Sequence, residues 1–231
     1  MCSSRYERLA RRLGWQRIAG VDEAGRGALF GPVVAAAVIL NPARRIQGLD
    51  DSKKLSPARR AVLAERIRER ACAWAVAQVE PGRIDAWNIL EASREAMTQA
   101  IEKLAVAPDY LLIDAVSLAV QLEQKPLIHG DARSFSIAAA SILAKVERDH
   151  LLEQWHGIYP QYNLARNKGY GTPAHLAALR LHGPTPQHRF SYAPVREATC
   201  WAARASQQPL PLEGETLSGM GTATTEAASG R

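Results

Sequence analysis

Val21-Asp22-Glu23-Ala24-Gly25-Arg26-Gly27 is the stretch on which the fold is decided. Before it, Gln16 to Gly20 reads as a short strand. After it, Gly31-Pro32 leads into Val33-Val34-Ala35-Ala36-Ala37-Val38-Ile39-Leu40, an apolar run of strand length. The two strands are expected to form a hairpin-like pair. Two adjacent carboxylates then stand where a strand ends and a glycine-rich turn begins. Neighbouring side chains on a strand point to opposite faces. Asp22 and Glu23 therefore meet at one ion only at a strand end or a backbone bend, and the glycines permit that bend. Arg26 adds a permanent positive charge with donors matched to phosphate. Carboxylates for a hard cation beside donors for an anion point to metal-assisted chemistry on a phosphate ester. Taken alone, an Asp-Glu pair in such a turn is more often a solvated loop.

The arrangement recurs further along. Tyr110-Leu111-Leu112-Ile113 reads as a compact buried strand that ends at Asp114. Pro126 to His129 reads as a short strand leading to Gly130-Asp131. Ligand sites in sheet proteins gather at strand ends, so Asp22, Glu23, Asp114 and Asp131 are the candidate catalytic and metal-binding residues. Mg²⁺ and Mn²⁺ take oxygen ligands and keep several waters, so a few carboxylates suffice. Each acid has a plainer alternative as a turn cap, and Asp131, just before a helix, is placed for N-capping.

Helices fill the intervals. Tyr6 to Leu13 has helical character and ends at Gly14; Ser56 and Pro57 open a helix to about Arg70. Trp74 to Val79 reads as a third strand, and Ile84 to Leu104 as the site of one long helix. Ser136 to about Trp155 is strongly helical and carries Ser141, Lys145 and Asp149 on one face. Tyr159 to Gly171 is an aromatic, basic loop, and Thr172-Pro173 starts a helix that runs to His182. Lys53, Lys54, Lys145, Lys168, Arg133 and Arg166 are candidates for a phosphate track, against the plainer reading of solvated surface charge. Tyr170, between Gly169 and Gly171, has room to stack on a sugar or base. Ser141 could touch a phosphate, although a serine on a small-residue helix face more often eases packing. His156, His175, His182 and His188 show no metal-ligand spacing.

The chain has 231 residues, 47% hydrophobic and 23% charged, which suits a globular protein. Its net charge of +6 fits an anionic partner such as nucleic acid. Cys2, Cys72 and Cys200 are odd in number and far apart, so they are expected to be reduced thiols in a cytoplasmic protein. No apolar run is long enough to cross a bilayer, and no membrane partner is expected. From about Ala203 to Arg231 the sequence is rich in Ser, Thr, Gly and Ala. The expected layout is a catalytic domain over 1–202, with a helical C-terminal segment from about 160, and a disordered tail over 203–231.

Together these segments resemble ribonuclease HII, the bacterial type 2 ribonuclease H. The resemblance rests on Gly20 to Gly27, Asp51-Ser-Lys-Lys-Leu55, Leu112-Ile-Asp114, Gly130-Asp-Ala-Arg-Ser134, Ser136 to Asp149, Lys168-Gly-Tyr-Gly-Thr172 and Gly183-Pro-Thr-Pro-Gln-His-Arg189. They lie in order over most of residues 17 to 196. The resemblance implies an α/β, ribonuclease H-like mixed sheet flanked by helices, with a helical C-terminal segment. It implies a monomeric enzyme that uses Mg²⁺ or Mn²⁺ to cleave RNA in RNA–DNA hybrids, and to incise 5′ of single ribonucleotides embedded in duplex DNA. Asp22, Glu23, Asp114 and Asp131 would hold the metals. Gly25, Arg26 and Gly27 would read the 2′-hydroxyl, the group that distinguishes RNA from DNA at a given position. Tyr170 would stack on the deoxyribose that follows the ribonucleotide. The family often has lysine where His129 stands. The rival readings are a metal-dependent nuclease acting on DNA alone and a hybrid-binding protein without catalysis.

Overall fold

A computed structural model describes residues 2 to 205, with backbone alone from 200 to 205. Ile18–Ala24 (β1) and Val33–Ile39 (β2) pair antiparallel, as the hairpin reading expects. Ala73–Val79 (β3) continues the antiparallel side beyond β2. Tyr110–Asp114 (β4) joins the other edge of β1 in parallel, and Glu123–Leu127 (β5) joins β4 in parallel. The result is a mixed five-stranded sheet of order β3-β2-β1-β4-β5.

Residue size decides how closely helices cover the sheet. All seven residues of β2 are buried, three of them alanines in a row. Ile89–Glu102 (α4) packs Ala92, Ala96 and Met97 on the face that carries Val21, Ala35, Ala37 and Ile113. Pro57–Arg70 (α2) and Phe135–Ile158 (α5) cover the opposite face, with Leu63, Ile67 and the Ala138–Ala140 run against Ala36 and Val38. Gly20 lies on the α5 face, where a Cβ would fall 2.0 Å from the Ser136 carbonyl carbon. The glycine thus lets α5 approach β1 backbone to backbone, two residues before Asp22 and on the same face of the strand.

Arg5–Arg12 (α1) closes the end of the sheet with Ala10 against Ile18, Leu112 and Leu127. Leu164–Asn167 (α6), Pro173–His182 (α7) and Ala193–Ala205 (α8) make the helical C-terminal segment. Its core joins Tyr162, Leu164 and Leu179 to Leu29, Phe30 and Leu152. That contact seats the segment directly behind the turn following β1. Among the described residues, no helix is long and apolar enough to cross a membrane.

The long helix expected within 84–104 is α4; Asn88, at φ 147° and with its side chain accepting hydrogen bonds from the N–H groups of Leu90 and Glu91, separates it from a short helix, Pro81–Trp87 (α3). Four expectations need correction. The strand expected over 16–20 is β1, which starts at Ile18 and runs through Asp22 and Glu23 to Ala24 because both acids pair with β2. The strand expected over 126–129 is β5, three residues earlier, set by its pairing with β4. The chain then turns through His129 in a left-handed conformation into a 3₁₀ turn, Gly130–Ala132, that carries Asp131. Ser134, not Asp131, caps α5. Finally, the 159–171 loop contains a 3₁₀ turn and α6. The tail expected over 203–231 lies outside the described residues from 206 onward, and α8 runs to Ala205.

Candidate active site

Register brings the first two acids together. β1 and β4 run parallel with Val21 opposite Ile113, so Asp22 and Asp114 occupy the next level on adjacent strands, Asp22 two residues before the end of β1 and Asp114 at the end of β4. Val21 and Ile113 both belong to the α4-side core, so by alternation Asp22 and Asp114 both point to the α5 side. Asp22 is buried. Burial pushes its carboxyl well above the ordinary range, and the charges of Glu23 and Asp114 push in the same direction. The Ser141 hydroxyl and the Glu23 N–H, which donates to Asp22 Oδ1 at 2.7 Å, act against that rise.

Glu23 is also raised by burial; Arg26 opposes the shift from 3.4 Å, and Asp114 adds to it. Burial raises Asp114 too, offset by the Gly130 N–H that donates to its Oδ1 at 2.6 Å. A Cβ on Gly130 would come 3.2 Å from that same Oδ1 and 2.6 Å from Ile137 Cδ1, so glycine is what lets this N–H reach Asp114. Asp131 is buried; its Oδ1 accepts from the Ala132 N–H and its Oδ2 lies 3.4 Å from Lys53 Nζ. Burial pulls Lys53 down, but the Asp131 charge and hydrogen bond more than offset it and the pKa rises. Asp114 and Asp131 also feel each other's charge. The four acids thus share one electrostatic neighbourhood at the carboxyl ends of parallel strands. Among the described residues, no three His, Cys, Asp or Glu side chains are grouped closely enough to hold an ion as they stand.

The remaining expected contacts divide. Lys53 faces the acids, whereas Lys54 is exposed and 4.0 Å from Asp50. Lys145 Nζ bonds Asp149 at 2.6 Å and lies 6.0 Å from the Tyr170 ring. Tyr170 is 37% exposed, open enough to meet a ligand. Ser141 is buried, 2.9 Å from Ser52 Oγ, so it stands behind Asp22 rather than on an open surface. Lys168 turns its ammonium to Glu153 at 2.7 Å.

Reading the sequence missed two fully buried arginines that build the turn. Arg148 donates to the carbonyls of Pro32, Phe30 and Lys168 at 2.8 to 3.2 Å. Arg189 donates to the carbonyls of Gly31 and Arg26 at 3.0 and 2.8 Å, and the Tyr192 hydroxyl donates to the same Arg26 carbonyl. Gly25, at φ +94°, has no room for a side chain beside Arg148, whereas Gly27 is exposed with nothing within 4 Å of a Cβ. A buried arginine looks like any surface arginine in sequence. The available signal was their place inside the Ser136–Asp149 and Gly183–Arg189 segments.

The family model for ribonuclease HII matches residues 19–195. The chain belongs to the ribonuclease HII family. It is a ribonuclease H hydrolase. A ribonuclease HII from Koribacter versatilis (strain Ellin345) is 55% identical over 209 residues, covering 90% of this chain and 80% of the relative. The crystal structure of ribonuclease H2 from Pyrococcus horikoshii OT3 superposes with a TM-score of 0.69 at 26% identity, covering 84% of this chain and all of that one. At 19% identity, Bst-RNase HIII in complex with Mn²⁺ shares the fold, with a TM-score of 0.62 over 84% of this chain and 73% of that one.

Proposed function

We propose that this chain cleaves the RNA strand of RNA–DNA hybrids and incises 5′ of single ribonucleotides embedded in duplex DNA, leaving 5′-phosphate and 3′-hydroxyl ends. The observation that carries the reading is the in-register placement of Asp22 and Asp114 on adjacent parallel strands, with Glu23 and Asp131 in electrostatic reach. Buried carboxylates that repel one another are costly unless a cation compensates them. An all-oxygen donor set suits Mg²⁺ or Mn²⁺. Asp22, Glu23, Asp114 and Asp131 would hold such ions after small side-chain adjustments. Bound there, divalent cations supply an activated water and neutralise charge developing on the phosphate.

The chain's own residues do the rest. The Gly25-Arg26-Gly27 turn, rigidified by Arg189 on the Arg26 carbonyl, presents backbone groups to the ribose 2′-hydroxyl. Lys53 neutralises phosphate beside Asp131. Tyr170 stacks on the sugar 3′ of the ribonucleotide, with Lys145 and Arg148 flanking its ring. The enzyme acts as a cytoplasmic monomer. The test is cleavage of a DNA duplex holding one ribonucleotide, with and without divalent ion, for the wild type and Asp114→Asn. Ion-dependent incision 5′ of the ribonucleotide, lost in the variant while duplex binding persists, is expected. Near-normal turnover by Asp114→Asn, or equal cleavage of all-DNA duplex, refutes the assignment.

A further inference from the structure

Tyr170 sits between two glycines, and Gly169 adopts φ +79°, so the local backbone does little by itself to aim the ring. Both of its peptide groups are nevertheless held. Its N–H donates to the Asn167 carbonyl at 3.0 Å. Its carbonyl accepts from the Thr172 N–H at 2.8 Å and meets His175 Nδ1 at 3.0 Å.

His175 is one link of a buried chain. Its Nε2 lies 3.1 Å from His188 Nε2, and His188 Nδ1 lies 3.0 Å from the Thr185 N–H. The Thr185 amide can only donate, so His188 Nδ1 accepts and His188 carries its proton on Nε2. That proton goes to His175 Nε2, so His175 carries its own on Nδ1 and donates it to Tyr170. One direction of hydrogen bonds satisfies all four ring nitrogens with both imidazoles neutral. Burial enforces that state: His175 is pulled below the usual range and His188 down to about 3. Phe30 and Tyr162 each meet His188 edge-on, with ring centroids 4.8 Å away. The loop that supplies His188 also supplies Arg189, which grips the Arg26 carbonyl. One segment thus fixes both the turn and the ring.

We propose that His175 and His188 are positioning residues that aim Tyr170 at the substrate sugar and thereby set the preference for a ribonucleotide–deoxyribonucleotide junction over a continuous hybrid. The proposal rests on the reading of Tyr170 as the sugar contact. His175→Phe keeps an aromatic ring and removes the donor; His175→Asn keeps an amide N–H near the place of Nδ1. The assay is kcat/KM on a duplex with one ribonucleotide and on a continuous hybrid, in wild-type and Tyr170→Ala backgrounds. Loss of one aiming hydrogen bond, about 1 kcal/mol, is about a fivefold effect. His175→Phe is expected to lower junction cleavage by about that factor, leave hybrid cleavage within about twofold, and cost nothing further once Tyr170 is alanine. His175→Asn is expected to recover most of the loss.

Equal losses on both substrates, or the same loss in the Tyr170→Ala background, overturn the proposal. A normal Tyr170 effect with no His175 effect overturns the proposal alone. Full junction activity in Tyr170→Ala overturns the sugar-contact reading, and the proposal with it. Should His175→Phe fail to fold, imidazole ¹⁵N shifts of the wild type give the second measurement. They are expected to show His175 protonated at Nδ1 and His188 at Nε2, and the reverse tautomers overturn the relay.

Discussion

Gly25→Ala and Gly27→Ala change one hydrogen to one methyl two residues apart, and the structure predicts opposite consequences. At Gly25 the backbone is at φ +94°, where an L-residue costs about 1–2 kcal/mol. The new Cβ would fall 1.9 Å from Arg148 Nε and 2.5 Å from its Cδ. Arg148 is fully buried and holds three carbonyls, so its guanidinium has no route to water when displaced. Losing one or two charged hydrogen bonds adds roughly 2–5 kcal/mol. The sum, about 3–7 kcal/mol, is a large share of a typical domain's stability. At Gly27 a Cβ meets nothing within 4 Å, and the cost is about 0.5 kcal/mol or less. Urea unfolding gives the two stabilities, and junction cleavage gives the activities. Gly25→Ala is expected to unfold at much lower urea. Gly27→Ala is expected to match the wild type in stability while losing junction cleavage, because under the proposed reading of the turn its methyl intrudes only on the ribose. Adding Arg148→Ala to Gly25→Ala is expected to cost less than the two single losses summed, since the clash partner is gone. Gly25→Ala within about 1 kcal/mol of wild type would refute the packing argument.

Other predictions concern groups outside the carboxylate cluster. His188 has a folded pKa of about 3, below its unfolded value near 6.5. Between those values the unfolded chain binds a proton that the folded chain does not, so stability falls with falling pH in that window. From pH 7.5 to 5 this amounts to about 2 kcal/mol. The raised carboxyls of Asp22 and Asp114 act in the opposite sense, so the comparison is with His188→Phe, whose urea midpoint should fall less than that of the wild type, or rise, on going from pH 7.5 to 5; an equal fall contradicts the assignment. Burial pushes the Cys2 thiol up to about 12, while Cys72 is exposed. Iodoacetamide at pH 8 is expected to label Cys72 in the native protein and Cys2 only after unfolding; equal native labelling rates contradict this. Gly20→Ala, with a Cβ 2.0 Å from the α5 backbone, is expected to prevent folding at 37 °C, read as loss of cooperative thermal unfolding.

Strand-end acids were legible in the sequence because period and punctuation are local. The short strand read before Asp22 and the apolar run ending at Asp114 required nothing from the rest of the fold, although the continuation of β1 to Ala24 is set by its pairing with β2. The Ser56 and Thr172 caps were likewise local and appear as expected. What stayed hidden depends on distant partners. Asn88 breaks a periodic helix with a single positive φ, and no alternation of apolar residues signals that. β5 has a polar sequence, and its bounds come from pairing with β4, not from its own residues. Arg148, Arg189 and the His175–His188 pair are polar in sequence and buried in the fold, because carbonyls of irregular turns need donors. Their roles emerge only when the C-terminal segment packs behind the turn after β1.

The central claim is that Asp22 and Asp114, brought level by the β1–β4 register, hold a divalent ion against the scissile phosphate. Anomalous scattering from crystals grown with Mn²⁺ tests it most directly. The account predicts an Mn²⁺ peak within coordination distance of both carboxylates, absent in Asp114→Asn crystals. Mn²⁺-dependent cleavage with the ion bound elsewhere, or a peak unchanged in that variant, would contradict it.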